Sequence, residues 1–417
     1  MTQHFLRLKW MPSYESELLA AFNDGVLAEK NWCDLKRELG PGKGANAELA
    51  RDLASFAVDG GTLIIGLDER CAGGSPLAPV DLSAVTPERI EQVAAMKVDP
   101  PLTVECSAID APSKPGEGYV LVHVPESPLA PHQVEGRYMG RGDKTKRYLS
   151  DAEVAALMRR RQQTTEITAR ALADFIRTDQ FADFQRRPHL FLLARPVRHD
   201  AEMLRPLIED CDRLKKVGEM LNKIRSTPAI QALPPFTELR MVPELLAHST
   251  RTADGFKFGV GELDADPRKR ERWAASLEMC EDGTLRYFDA CAGSDPDQAS
   301  LLYLDQILTT CRQFLALAAE LSSGFGFAGS WQLGIALTGV YGRQGTAFHG
   351  MDPNRCWSPP TYPEQEYRRT TGASVRELQE NPGRVAERLL GRLVRSFADG
   401  APGAFMDQPS GASVSSI

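Results

Sequence analysis

The chain lacks the cysteine pattern of a metal-binding fold. Its eight cysteines never fall in a C-x-x-C pair, and no histidine stands beside one at a zinc-like spacing, which argues against zinc. Cysteines scattered over 417 residues read as reduced, mostly buried thiols, as in the cytosol. Met1 to Trp10 has no apolar core of signal-peptide length. No run reaches the ~18 apolar residues of a membrane helix; Phe314 to Leu321 comes nearest and is broken by Glu320 and then Ser-Ser-Gly. The expected location is therefore the cytoplasm, without membrane contact. A G-x-S-x-G elbow and an evident Cys–His pair for nucleophilic catalysis are also missing. Gly40-Pro41-Gly42-Lys43-Gly44 departs from the phosphate-loop pattern, because Ala45 follows and no Ser or Thr follows the lysine. The sequence thus gives no support for ATP. Overall positive charge is absent too: the net charge is −7, so any contact with phosphate must come from a local patch.

Present are 42% hydrophobic and 25% charged residues, the balance of an ordinary soluble protein. At roughly 100–200 residues per domain the length predicts two or three domains. A helical pattern over Tyr14 to Glu29 is interrupted by Asn23-Asp24-Gly25. Trp32-Cys33-Asp34-Leu35-Lys36 reads as a short strand, with Trp32, Asp34 and Lys36 on one face. The glycine-rich connection leads into a helix carrying Leu49, Leu53 and Phe56 at helical spacing. Gly60-Gly61 ends it, and Thr62 to Leu67 is an apolar run suited to a strand covered on both faces. Glycine there serves the tight turn and the close approach of backbones. Pro87 to Lys97 reads as a helix, and Leu102 to Ile109 and Tyr119 to Val124 as strands. Gly136 to Leu149 reads as a basic hairpin. Ser150-Asp151-Ala152-Glu153 is a capping box opening a helix that ends at Arg159-Arg160-Arg161. The character changes after Gln162. Helices are expected near 165–180, 201–224, 297–322 and 374–399. Strands are expected at Leu190 to Arg195 and Trp331 to Val340, with a hairpin at Asp282-Gly283. The predicted organisation is an α/β domain over 14–161, an α+β domain of unknown fold over 165–405, and a disordered tail over 406–417.

Three carboxylates of the first domain draw attention. Asp34 projects from the first strand, Glu29 precedes it by five residues, and Asp68 ends the buried strand. Acidic groups at strand ends can hold Mg²⁺ or Mn²⁺ for phosphodiester cleavage, since these ions take hard oxygen ligands and leave positions for water and phosphate. Lys36, on the Asp34 face, would steady phosphate charge. Solvated strand-end acids look the same in sequence, so spacing leaves both readings open.

The order of motifs resembles a known family. Glu29-x4-Asp34-Leu35-Lys36 is followed by Leu53-Ala54-Ser55-Phe56-Ala57-x2-Gly60-Gly61-Thr62-Leu63-Ile64-Ile65-Gly66-Leu67-Asp68. Then come Val120 to Pro125, Ser127, Pro131-His132, and Gly136-Arg137-Tyr138-Met139-Gly140-Arg141-Gly142. This arrangement is similar to the Schlafen-type AlbA domain, over the N-terminal third of the chain. The resemblance implies an α+β domain that binds nucleic acid, RNA or DNA. In its nuclease members a carboxylate triad cuts tRNA or rRNA with a divalent metal, and that triad falls here on Glu29, Asp34 and Asp68. The family usually has Glu where Asp34 stands, and Asn-Thr where Val58-Asp59 precede Gly60. These departures bear on catalysis more than on fold.

Arg137, Arg141, Lys144, Lys146 and Arg147 concentrate positive charge, interleaved with Tyr138 and Tyr148. Cations with aromatics suit backbone contact and base stacking. Lys43, at a helix start, would join them at a phosphate. His123 and His132 read as structural. Residues 165–405 carry no motif tied to chemistry. Three functions remain, in this order: a non-catalytic nucleic-acid-binding regulator, a metal-dependent endoribonuclease of stress or phage defence, and a sensing or interaction module without nucleic-acid contact. A single lobe offers a small surface, which a homodimer with two lobes in one groove would enlarge.

Overall fold

The computed structural model describes residues 12–27, 32–69, 75–142, 145–197, 202–227, 230, 248–260, 271, 274–297, 299–327, 329–346 and 360–397. Glu29, Lys144 and the 406–417 tail lie outside the described residues. The chain divides into two units, residues 1–163 with 326–330, and residues 164–325 with 331–417. Both combine helices and strands, giving the α+β class.

In the first unit, β1 (Cys33–Lys36) runs parallel to β2 (Gly61–Ile65), which is antiparallel to β5 (Glu117–Val124). β5 also pairs with β3 (Val80–Asp81) and with β4 (Glu105–Asp110). Side chains alternate across the sheet with period two. Leu63, Ile65, Val120, Val122 and Val124 face one core with Leu49, Leu53 and Phe56 of α2 (Gly42–Phe56) and Ile90 and Val93 of α3 (Pro87–Lys97). Ile64, Tyr119 and Leu121 face the other, with Leu18 of α1 (Glu15–Asn23). The apolar run at 62–67 is thus covered on both sides, as its lack of alternation requires.

Gly60 adopts a left-handed φ of +78° at the turn into β2. A Cβ on Gly61 would lie 2.2 Å from the Phe56 ring and 2.8 Å from the Trp32 carbonyl oxygen. Thr86 caps α3, its hydroxyl accepting from the Arg89 amide at 3.2 Å, and Pro87 opens the helix. The basic segment forms a meander of β6 (Gln133–Val134), β7 (Arg137–Arg141) and β8 (Lys146–Tyr148). Glu135 and Gly136 turn between its first two strands with φ of +52° and +76°, the mirror-turn geometry that matches strand twist.

Two expectations change. Trp32 precedes β1 and packs with Cys33 and Leu35 in the core opposite Asp34 and Lys36. The helix expected to stop at Arg161 runs unbroken as α4 (Asp151–Arg177). No Gly or Pro interrupts that stretch, so the shift in composition after Gln162 has no backbone consequence. The capping box at its start is formed: Ser150 N–H donates to Glu153 Oε2 at 2.8 Å and Glu153 N–H to Ser150 Oγ at 3.4 Å.

The second unit is built on a seven-stranded sheet. Its order is β10 (His248–Arg251), β11 (Gly255–Val260), β12 (Ala275–Cys280), β13 (Leu285–Asp289), β9 (His189–Pro196), β15 (Ser330–Thr338) and β17 (Glu366–Ser374). Short strands β14 (Leu301–Leu302) and β16 (Gln344–Gly345) pair separately. Phe191, Leu193, Phe288 and Ala336 pack with Leu172 of α4. The helices after α4 are α5 (Arg205–Ile208), α6 (Arg213–Arg225), α7 (Leu304–Gly324), α8 (Val375–Glu380) and α9 (Pro382–Arg395). α7 is buried along most of its length and contacts β9. It contains the apolar run Phe314 to Leu321 as core, and no helix among the described residues is long and apolar enough to cross a membrane. Trp331 is fully buried and donates its indole N–H to Ser322 at 2.9 Å. The Asp282-Gly283 hairpin joins β12 to β13, with Gly283 at a φ of +86°. The six described cysteines are free thiols, four of them buried.

Candidate functional site

Alternation in β1 sends Cys33 and Leu35 to the α1 side and Asp34 and Lys36 to the α2 side. Asp34 is 8% exposed. Its Oδ2 lies 3.3 Å from Lys36 Nζ and its Oδ1 3.1 Å from Arg141 Nη2 on β7. Arg141 also donates to the Cys33 carbonyl at 3.2 Å and lies 4.1 Å above the Phe56 ring. Lys36 continues to Asp52 of α2, 3.0 Å from its Oδ2. Asp52, 2% exposed, accepts from Lys146 of β8 at 2.6 Å. Lys146 also pairs with Glu48, which holds Arg51 at 2.9 Å, and Arg51 reaches Glu135 at 2.7 Å.

This is one continuous ladder of alternating charge joining β1, α2 and the β6–β8 meander. Burial disfavours the Lys36 ammonium, but Asp52 and Asp34 outweigh that cost and raise its pKa above the ordinary 10.5. The hydrogen bond from Lys146, opposed by partial burial, holds the Glu48 carboxyl below its usual range.

The carboxylates singled out in sequence have different surroundings. Asp34 has its two cations. Asp68 lies beyond the turn at Gly66 and meets the exposed Arg37 at 3.3 Å. Glu29 is outside the described residues. A divalent ion needs carboxylate oxygens open to it. Both oxygens of Asp34 face cations, Lys36 and Arg141.

The cations divide as well. Arg141 and Lys146 point inward and serve the ladder. Arg147 is bound by both oxygens of Glu153, a bidentate pair. Arg137 is exposed, its guanidinium 4.7 Å above the ring of Tyr148, which is 51% exposed. Lys43 projects into solvent from the first turn of α2. The connection before it is anchored, because Arg89 donates to the Gly40 carbonyl and to Asn46 Oδ1, each at 2.8 Å.

The sequence reading missed Asp52 and Glu48. A signal was present: Asp52 falls inside the apolar stripe of Leu49, Leu53 and Phe56. An acid in a core stripe demands a buried counter-charge.

His132 is structural, as expected. It is fully buried; one ring nitrogen meets the Pro100 carbonyl and the other Ser127 Oγ, each at 2.7 Å. A carbonyl can only accept, so Nδ1 carries the proton and Ser127 donates to Nε2. Burial pushes the His132 pKa down to about 4.

Residues 29–150 match the model of the family described as Schlafen, AlbA_2. No curated protein sequence matches the chain. Among solved structures, the DIP2311 protein of Corynebacterium diphtheriae is similar at 17% identity with a TM-score of 0.24. That match spans 52% of this chain and 40% of the other.

Proposed function

From a Schlafen AlbA_2 domain over residues 29–150, we propose that this protein binds nucleic acid and regulates without cutting it. The observation that carries the reading is the pairing of Asp34 with both Arg141 and Lys36. It turns the central carboxylate of the triad into an anchor between strands. The exposed Arg137–Tyr148 pair and Lys43 supply the kind of surface that takes a phosphate and a stacked base. A homodimer would double that surface.

The test incubates labelled tRNA, single-stranded RNA and duplex DNA with the full chain, in Mn²⁺ or in EDTA, at two salt concentrations. Asp34→Asn and Glu29→Gln run alongside. Salt-sensitive binding without cleavage is the expected result. Mn²⁺-dependent cleavage lost in both variants would establish the endoribonuclease instead. Absence of binding to every substrate would leave an interaction module.

A further inference from the structure

The second unit contains a cavity of about 510 Å³ between α4, the sheet and two hairpin turns. One stripe of α4 lines it, Ile167, Arg170, Ala171 and Asp174, at the spacing of a single helix face. Its floor is the sheet face that carries Leu193 and Arg195 of β9 and Arg286 of β13. Arg286 stands directly opposite Leu193 in register. Arg195 is therefore diagonal to Arg286 on the same face, within reach of its field.

The cavity charges do not cancel one another. Arg286 is paired with Glu278 at 2.9 Å, and Asp174 with Arg177 at 2.6 Å. Asp282 is occupied by the Thr284 amide and hydroxyl at 2.8 and 3.0 Å. Among the described residues, the side chains of Arg170, Arg195, Asp254 and Glu281 have no hydrogen-bond or ion-pair partner. Two cations and two carboxylates thus line one cavity without meeting. Strand order explains why. The cations belong to α4 and β9. Asp254 precedes β11 and Glu281 follows β12, in two turns joined by the Glu281 N–H to Asp254 carbonyl bond at 2.7 Å. β13 and β12 lie between β9 and these turns, which separates the Arg195 backbone from theirs by roughly 10–14 Å at the ~4.8 Å strand spacing.

We propose that this cavity binds a small zwitterion of the amino-acid class. Its carboxylate would sit at Arg170 and Arg195 and its ammonium at Asp254 and Glu281. A guanidinium fork matches a carboxylate in geometry, and the volume suits a small molecule. A ligand of one charge would satisfy only one wall. This site makes the second unit a sensor of a small metabolite, independent of what the first unit binds.

Isothermal titration of the full chain with 6-aminohexanoate, hexanoate and hexylamine tests it. The zwitterion should bind about tenfold or more tighter than either singly charged analogue. Arg170→Gln and Asp254→Asn should each remove that preference. Both residues are exposed, and thermal melting should show both variants folded. Hexanoate binding as tightly as 6-aminohexanoate would reduce the cavity to an anion site and overturn the proposal. No binding of any of the three would overturn it too.

Discussion

Lys36 Nζ lies 3.0 Å from Asp52 Oδ2, so an ammonium of the first strand is neutralised by an acid in the middle of the following helix. Lys146 approaches the same carboxylate from the meander. Asp52 is thus the joint at which three elements of the N-terminal unit share charge.

Replacing Asp52 by Ala would leave Lys36 and Lys146 beside a buried void. Because each lysine keeps a second acid, Asp34 or Glu48, the loss is that of an unsatisfied buried hydrogen-bonding group, about 1–3 kcal/mol. The Asp52→Ala variant should lose stability of that order in urea or thermal unfolding. An unchanged midpoint would show that the ladder contributes nothing.

Two arginines of the basic segment should separate binding from folding. Arg137→Ala removes an exposed cation and should weaken nucleic-acid binding and lower the salt slope by about one, with melting unaltered. Arg141→Ala breaks the contact with Asp34 and should lower the melting temperature. If both variants melt and bind alike, the division between surface and interior cations is wrong.

Acid should destabilise the N-terminal unit through His132. Its folded pKa of about 4 lies below the ordinary 6.5, so between these values the unfolded state takes up the proton and the folded state does not. The contribution is complete above pH 6.5 and lost as pH falls toward 4, about 3 kcal/mol by linkage. His132→Gln should flatten the melting temperature between pH 7 and 4.5. A slope equal to the parent's would refute the assignment.

His189 should act with the opposite sign. It is buried between Asp179, 2.6 Å away, and Glu271, 3.1 Å away. Burial opposes the charged ring, but the two carboxylates outweigh it and raise the pKa above 6.5. That stability is complete below pH 6.5 and lost as pH rises through the folded value. Melting of His189→Gln should therefore lack the alkaline decline of the parent. An identical decline in the two would rule this out.

Gly61→Ala tests the close approach of α2 and β2. The added methyl would meet the Phe56 ring and the Trp32 carbonyl. Overpacking of this kind costs about 1–3 kcal/mol. A variant as stable as the parent in urea would show that the contact relaxes freely.

Local physics made much of this protein legible from its residues alone. The apolar runs at 62–67 and 119–124, the double glycine, the box at Ser150 and the turn at Asp282-Gly283 each depend on near neighbours, and each is where the pattern put it. The order of motifs in the N-terminal third likewise led to the family that residues 29–150 match. Charge partners were not legible, because they are set by which elements stack. Five cations near the meander look alike in sequence. Only the docking of β7 and β8 on α2 turned Arg141 and Lys146 inward, while Arg137 stayed on Tyr148 at the surface. Asp34 shows the same: of its two cations, Lys36 is two residues away, but Arg141 lies more than a hundred residues along the chain. Helix α4 shows the converse. A change of composition after Gln162 suggested an end, but hydrogen bonding along a helix stops at a breaker or a cap, and none occurs before Arg177.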